Sequence, residues 1–137
     1  AYGLLDHRHT PEIEQVTGAQ VLFTPHLAPM NRGILATCYA RPQGGAPTTA
    51  SLLAAIATFY KNEQYIVVRP NSPSTKATLG SNSVHITARF DERTGYVMVI
   101  AALDNLAKGA SGGAVQSMNV ALGLPESSGL SNVGLYP

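Results

Sequence analysis

Three polar side chains, His7, Arg8 and His9, stand together just ahead of Thr10-Pro11-Glu12 in this chain of 137 residues. An imidazole with a pKa of about 6.5 exchanges protons near neutral pH. An adjacent guanidinium can hold a carboxylate or phosphate by two parallel hydrogen bonds. Together they offer proton transfer beside anion binding, although an exposed basic turn with no role contains the same residues. A metal site has less support, because no Cys, Asp or Glu stands at ligand spacing, and His26 and His85 fall on separate strand segments.

A second candidate corner lies between Tyr96 and Gly123. Tyr96 to Leu103 is a continuous apolar run that suits a strand buried on both faces. Asp104-Asn105 ends it, and polar residues there either cap the following turn or point into a cleft. A Lys108-Gly109-Ala-Ser-Gly112-Gly113 elbow then opens a helix to about Leu122, with apolar positions at Ala114, Val115, Met118, Ala121 and Leu122 and a stop at Gly123 and Pro125. Free amides at a helix start, with Lys108 beside them, favour an anionic ligand group. The same small residues would also serve simply to let a helix pack tightly on a sheet.

The remaining elements must position these corners. Thr10 reads as an N-cap, Pro11 as a first helical residue and Gly18 as the stop of a short helix. Gln20 to Leu27 reads as a strand bent at Pro25, and Gly33 to Arg41 as a better one. Cys38 falls among its small apolar positions and is expected to be buried, inert packing. After the Gly44-Gly45-Ala46-Pro47 loop, Thr48 or Thr49 caps a helix with Leu52, Leu53, Ile56, Phe59 and Tyr60 at three- and four-residue steps. A short strand from Tyr65 to Arg69 and a polar loop from Pro70 to Ser83 follow. Val84 to Asp91 alternates, and a turn through Gly95 returns it into the apolar strand as a hairpin. These elements predict one α+β domain, a mostly antiparallel mixed sheet with helices on one face. Its other face is solvated by default, or meets a twofold partner.

A net charge of +1, with 12% charged and 45% hydrophobic residues, leaves no nucleic-acid footprint or disordered tail. Low charge on so small a domain hints at a buried interface. No apolar run approaches the roughly 20 residues of a membrane span, and the single cysteine, Cys38, excludes an internal disulfide. The chain thus reads as soluble and cytoplasmic. Its abrupt Tyr2-Gly-Leu-Leu start, against the hydrophobic Val133-Gly-Leu-Tyr-Pro137 close, reads as the C-terminal piece of something larger.

Five ordered segments resemble the N-acetyl-gamma-glutamyl-phosphate reductase family: His7-Arg-His-Thr-Pro-Glu-Ile-Glu-Gln15, Phe23-Thr-Pro-His-Leu-Ala-Pro-Met-Asn-Arg-Gly-Ile-Leu-Ala-Thr37, Gly80-Ser-Asn82, Asp104-Asn-Leu-Ala-Lys-Gly109 and Gly112-Gly-Ala-Val-Gln-Ser-Met-Asn-Val-Ala-Leu-Gly-Leu-Pro-Glu126. The resemblance implies an NADP-dependent reduction of an acyl phosphate to N-acetylglutamate semialdehyde in arginine biosynthesis, through a cysteine thioester. It implies His7 as the acid/base residue, Tyr2, Arg8 and His9 as substrate-binding residues, and Asn105, Lys108 and Gly109 beside the nicotinamide. It also implies the fold of a dehydrogenase C-terminal domain that forms a homodimer or homotetramer through its sheet face. The family's Gly-Cys-Tyr-Pro-Thr nucleophile motif and its Gly-rich dinucleotide-binding domain do not occur in these residues, since Cys38 lies within Ala36-Thr-Cys-Tyr39. The chain is therefore expected to carry the substrate and dimerisation part of a reductase and to be inactive alone. A non-catalytic dimerisation module is the alternative.

Overall fold

The structure is a computed structural model that describes residues 1–135, so Tyr136 and Pro137, the end of the hydrophobic tail, lie outside the described residues. The chain divides into two compact units, residues 1–31 and 32–137.

The first unit holds a single helix, α1 (His9–Thr17), ended by Gly18 in the left-handed region at φ 66°, where its amide donates to Glu14 O. Thr10 is not the cap. It sits inside the helix, its amide donating to His7 O at 3.0 Å, while the His9 amide donates to the His7 ring. The expected strand from Gln20 to Leu27 does not form either. That segment runs without regular structure, because an apolar run alone gives no strand where no neighbour pairs with its backbone. One hydrogen bond, from Tyr2 N to Pro25 O at 3.1 Å, ties it to the start of the chain.

The second unit is built on a four-stranded sheet of β1 (Ile34–Ala40), β2 (Ile66–Val68), β3 (Val84–Asp91) and β4 (Tyr96–Leu103), in the order β1-β4-β3-β2. β1 and β3 both run antiparallel to β4, whereas β2 runs parallel to β3. The α+β class with a mostly antiparallel mixed sheet therefore holds. Helix α2 (Thr49–Phe59) starts where local chemistry dictates, with a reciprocal cap between Thr48 and Ser51, and Thr49 Oγ1 accepts the Phe90 amide of β3.

The hairpin of β3 and β4 is the spine of this unit, and Ala88 and Ala102 are fully buried in it. Alternation along β3 predicts one polar, solvated face, but His85 and Thr87 are as buried as Val84 and Ala88, since the strand lies inside the sheet and is covered on both sides. The stretch from Pro70 to Ser83, expected as a polar loop, is exposed from Pro70 to Ser72 and buried toward its end. It contains the short helix α3 (Thr75–Thr78), and Thr78, Ser81, Asn82 and Ser83 are buried. Their partners come from far along the chain: Asn82 N donates to Ser131 O at 2.7 Å and Ser83 Oγ to Asn132 O at 2.7 Å. Cys38 is exposed rather than buried, because β1 is an edge strand with a neighbour on one side only.

After β4 the backbone coils at once into a π-helical turn (Ala107–Ser111) that runs directly into α4 (Gly112–Ala121). α4 does open at the glycines, but the backbone ahead of Gly112 is already helical, so the amides of Gly112 and Gly113 are not those of a free helix N-terminus. Gly112 is needed for space: a Cβ there would strike Asn82 Oδ1 and approach the Ala107 carbonyl carbon to 2.8 Å. Tight packing is thus the role the structure gives this glycine.

Candidate functional site

In the first unit, His7 sits in a cage of rings. Its imidazole meets Tyr2 at 5.3 Å, His9 at 4.8 Å and Phe23 at 5.1 Å between ring centres, all edge-on. A tight turn ahead of it makes room. Gly3 adopts φ 57°, and a Cβ there would come within 2.8 Å of His7 Cδ2. His7 Nδ1 accepts the His9 amide at 3.2 Å, so the neutral ring carries its proton on Nε2 and offers it as a donor. The start of α1 thereby fixes the tautomer of the imidazole that precedes it. Three of the residues expected at this corner, Tyr2, His7 and His9, are brought together. Arg8 is exposed and makes no hydrogen bond or ion pair among the described residues, which leaves its guanidinium available.

In the second unit, the corner at the end of β4 is organised by Asp104, whose side chain is completely buried. Oδ1 accepts the Leu106 amide at 2.8 Å and the Ala107 amide at 3.0 Å, and Oδ2 accepts Gly80 N at 2.5 Å and Arg32 Nε at 2.8 Å. The true helix start is at Leu106 and Ala107, and its amides are filled by the chain's own carboxylate rather than left for a ligand. Burial alone would raise the Asp104 carboxyl. The hydrogen bonds from Ala107, Gly80, Arg32 and Leu106 outweigh it and bring the group down to about 2. Next to it, Asn105 Oδ1 accepts Gly33 N at 2.6 Å, so the pair Asp104-Asn105 grips the pair Arg32-Gly33 that leads into β1.

Lys108 and Gly109 follow one turn later. Gly109 is exposed within the π-helical turn, and a Cβ there would make only ordinary contacts, the nearest with Leu103 at 3.4 Å. Lys108 does not aim a free charge at the corner. Its ammonium donates to Gln116 Oε1 at 2.6 Å and lies 5.7 Å from the centre of the Tyr65 ring. The same Gln116 oxygen accepts Asn82 Nδ2 at 2.8 Å, and Gln116 Nε2 donates to Glu126 Oε1. Burial first, and the Glu126 charge second, push the Tyr65 hydroxyl up, and that hydroxyl has no hydrogen-bond partner among the described residues.

Sequence reasoning singled out His7 and Asn105 as candidates, and did not single out Arg32, Gln116, Tyr65 or Glu126, which the structure places in these hydrogen-bond and electrostatic arrangements. A signal for Asp104 existed, since a lone Asp closing an apolar run just before a helix is an N-cap signature. None existed for Arg32, whose partner lies 72 positions away. Among the described residues no helix is long and apolar enough to cross a membrane, and no group of three or more His, Cys, Asp or Glu residues could hold a metal ion.

Comparison with known proteins bears on this arrangement. Residues 1–105 match the family described as semialdehyde dehydrogenase, dimerisation domain. The N-acetyl-gamma-glutamyl-phosphate reductase of Acidothermus cellulolyticus is 52% identical over 139 residues, covering 96% of this chain and 40% of its own length. Its counterpart in Micrococcus luteus is also 52% identical with the same coverage. That of Acaryochloris marina is 46% identical over 99% of this chain and 41% of its own. The chain thus spans about two fifths of the length of the curated relatives it matches. Sequence match and α+β architecture agree, and the chain belongs to the semialdehyde dehydrogenase dimerisation-domain family.

Proposed function

We propose that this chain is the substrate-binding and dimerisation portion of a cytoplasmic, NADP-dependent N-acetyl-gamma-glutamyl-phosphate reductase of arginine biosynthesis, with His7 as its acid/base residue. The observation that carries this reading is the identity of about half of all positions, over nearly the whole chain, with proteins of that name. The caged imidazole of His7 supports it, because an acid/base group must be held still at the reacting atoms.

In that reaction a cysteine thiolate displaces phosphate from the acyl carbon to form a thioester. NADPH, when bound, supplies the hydride that brings this carbon to the aldehyde level. His7, with its single proton on Nε2, would donate a hydrogen bond from that N–H to the oxygen that becomes negative at the tetrahedral stage, and keeps the proton as the aldehyde leaves and the thiolate is restored. Taking up a thiol proton at Nε2 instead requires Nδ1 to be protonated, and so requires His7 to release the His9 amide. His9 and Tyr2 set a second ring nitrogen pair and a phenol beside the imidazole, and the exposed guanidinium of Arg8, next in the chain, is available to an anionic substrate. Of the residues assigned to the cofactor, Asn105 fits best. Its oxygen is held by Gly33 and its amide nitrogen can donate to a carboxamide. Gly109 offers open backbone, and Lys108 fits an anionic group less well because Gln116 already takes its ammonium.

The test is turnover of the full-length polypeptide that carries this chain, with N-acetyl-gamma-glutamyl phosphate and NADPH. His7→Asn is expected to lower kcat by about 10²–10⁴-fold, and near-normal turnover removes His7 from the mechanism. The second reading, a dimerisation module with no chemistry of its own, is favoured by one observation: Cys38 sits in Ala36-Thr-Cys-Tyr39 on an edge strand, outside the family's nucleophile motif. The 137 residues alone are expected to be inactive, and reductase activity in them that Cys38→Ser abolishes would overturn that expectation.

A further inference from the structure

The geometry points to Arg32 as an anion-binding residue, aimed by buried Asp104 so that its two terminal nitrogens face a carboxylate or phosphate group beside Asn105. The inference rests on the reductase reading only for the identity of that anion.

A guanidinium that merely neutralises a buried carboxylate does so with a two-pronged contact, matching two N–H groups to two oxygens. Here that contact is blocked. Asp104 Oδ1 is occupied by the Leu106 and Ala107 amides, and Oδ2 is shared with Gly80 N, so Arg32 engages through Nε alone. With three backbone amides already on the carboxylate, its hydrogen-bonding capacity is nearly filled without the arginine. Four of the five guanidinium N–H groups, those on Nη1 and Nη2, have no partner among the described residues, and the Arg32 side chain is 34% exposed. The backbone next to it is held as well. Its neighbour Gly33 is pinned by Asn105 Oδ1 at 2.6 Å and adopts φ 124°, with Thr75 packed so close that a Cβ would come within 2.8 Å of it. Backbone fixed at one end and Nε fixed at the other leave a preorganised fork with its donors unused, the arrangement that planar anion recognition requires. Asn105, on the same backbone step as the aiming carboxylate, puts a second donor at this corner.

The full-length protein tests this with Arg32→Met and Arg32→Lys beside the parent. Calorimetric titration with inorganic phosphate and with N-acetylglutamate reads anion binding without turnover. The reverse reaction gives separate KM values for phosphate, semialdehyde and NADP⁺. In Arg32→Met the affinity for one anion is expected to fall about 10–100-fold, the size of a lost charge-assisted contact. Arg32→Lys keeps a charge near Asp104 but loses the planar fork, so it recovers only part of that loss. If Arg32→Met does not fold, the loss is read from Arg32→Lys. A rise confined to the phosphate KM assigns the fork to the phosphoryl group, one confined to the semialdehyde to its carboxylate, and one confined to NADP⁺ to a cofactor phosphate. Affinities and KM values within twofold of the parent in the folded variants overturn the proposal and leave Arg32 a counter-charge. So does a fall in unfolding midpoint with a lower kcat and unchanged KM values. A parent that binds phosphate through Arg32 yet reduces no acyl phosphate keeps the anion site and removes the reductase reading.

Discussion

At the scale of single residues, two positions make sharp demands. Gly3 leaves the space in which the His7 ring lies, at a positive φ that favours glycine. On the proposed reading of His7 as the acid/base residue, Gly3→Ala is therefore expected to push the imidazole out of its cage and lower kcat of the full-length protein by at least about tenfold, since small misplacement of a reacting group is costly. A steady-state assay checks this, and an unchanged kcat would mean that the ring position is not the one used. Asp104 makes a different demand. Folding lowers its pKa from 3.8 to about 2, so the unfolded chain binds the proton more tightly. Its contribution is full above pH 4, is lost as pH falls from about 4 toward 2, and amounts to roughly 2 kcal/mol. Asp104→Asn should lose about that much at neutral pH and flatten the acid limb of a urea-unfolding profile. An acid limb as steep as the parent's would show that other carboxylates set it.

Elements explain which parts of this protein were legible in the sequence. The hairpin of β3 and β4 and the capped helix α2 were readable, because alternation, an apolar run and a Thr-Ser cap are local patterns. The segment from Thr78 to Ser83 was not. Its polarity signals a loop, whereas its burial depends on partners 24 to 49 positions away in Asp104, Gln116, Ser131 and Asn132. His85 belongs to the same lesson. Alternation put it on a polar face, solvated by default or meeting a twofold partner, yet burial first and the Arg69 charge second hold its imidazole below the usual range, with Nδ1 unpartnered among the described residues. Because the unfolded chain takes that proton more readily, stability is full above about pH 6.5 and falls as pH drops below it. His85→Phe should remove that slope below pH 6.5, which denaturant midpoints at several pH values would read. The glycines of the last helix also separate by element. Gly112→Ala forces a shift against Asn82 and Ala107 and should cost about 1–3 kcal/mol. Gly109→Ala finds ordinary contacts, so it should leave the melting temperature alone and, if the cofactor lies against that backbone, raise the KM for NADPH.

For the whole molecule, the balance of apolar residues is the telling property. Among the described residues only Tyr65, Val84, Ala88 and Ala102 form a buried apolar core, while 45% of the chain is hydrophobic and 12% is charged. Much apolar surface is therefore left outside, and a dimerisation-domain family gives it a destination. β1 is where this is most concentrated on the sheet. It pairs only with β4, and Leu35 and Tyr39, which share one face of the strand, are 53% and 67% exposed. Strand edges with exposed apolar side chains invite pairing unless something covers them, and this one carries no charged residue from Ile34 to Ala40. A second copy meeting that strand would bury Leu35 and Tyr39 about a twofold axis, each contact occurring twice. A double substitution, Leu35→Glu with Tyr39→Glu, then places four carboxylates in the contact and should weaken association at least tenfold. Sedimentation of the full-length protein at several concentrations reads the outcome. A dimer that persists undiminished in the double variant puts the contact elsewhere on the surface.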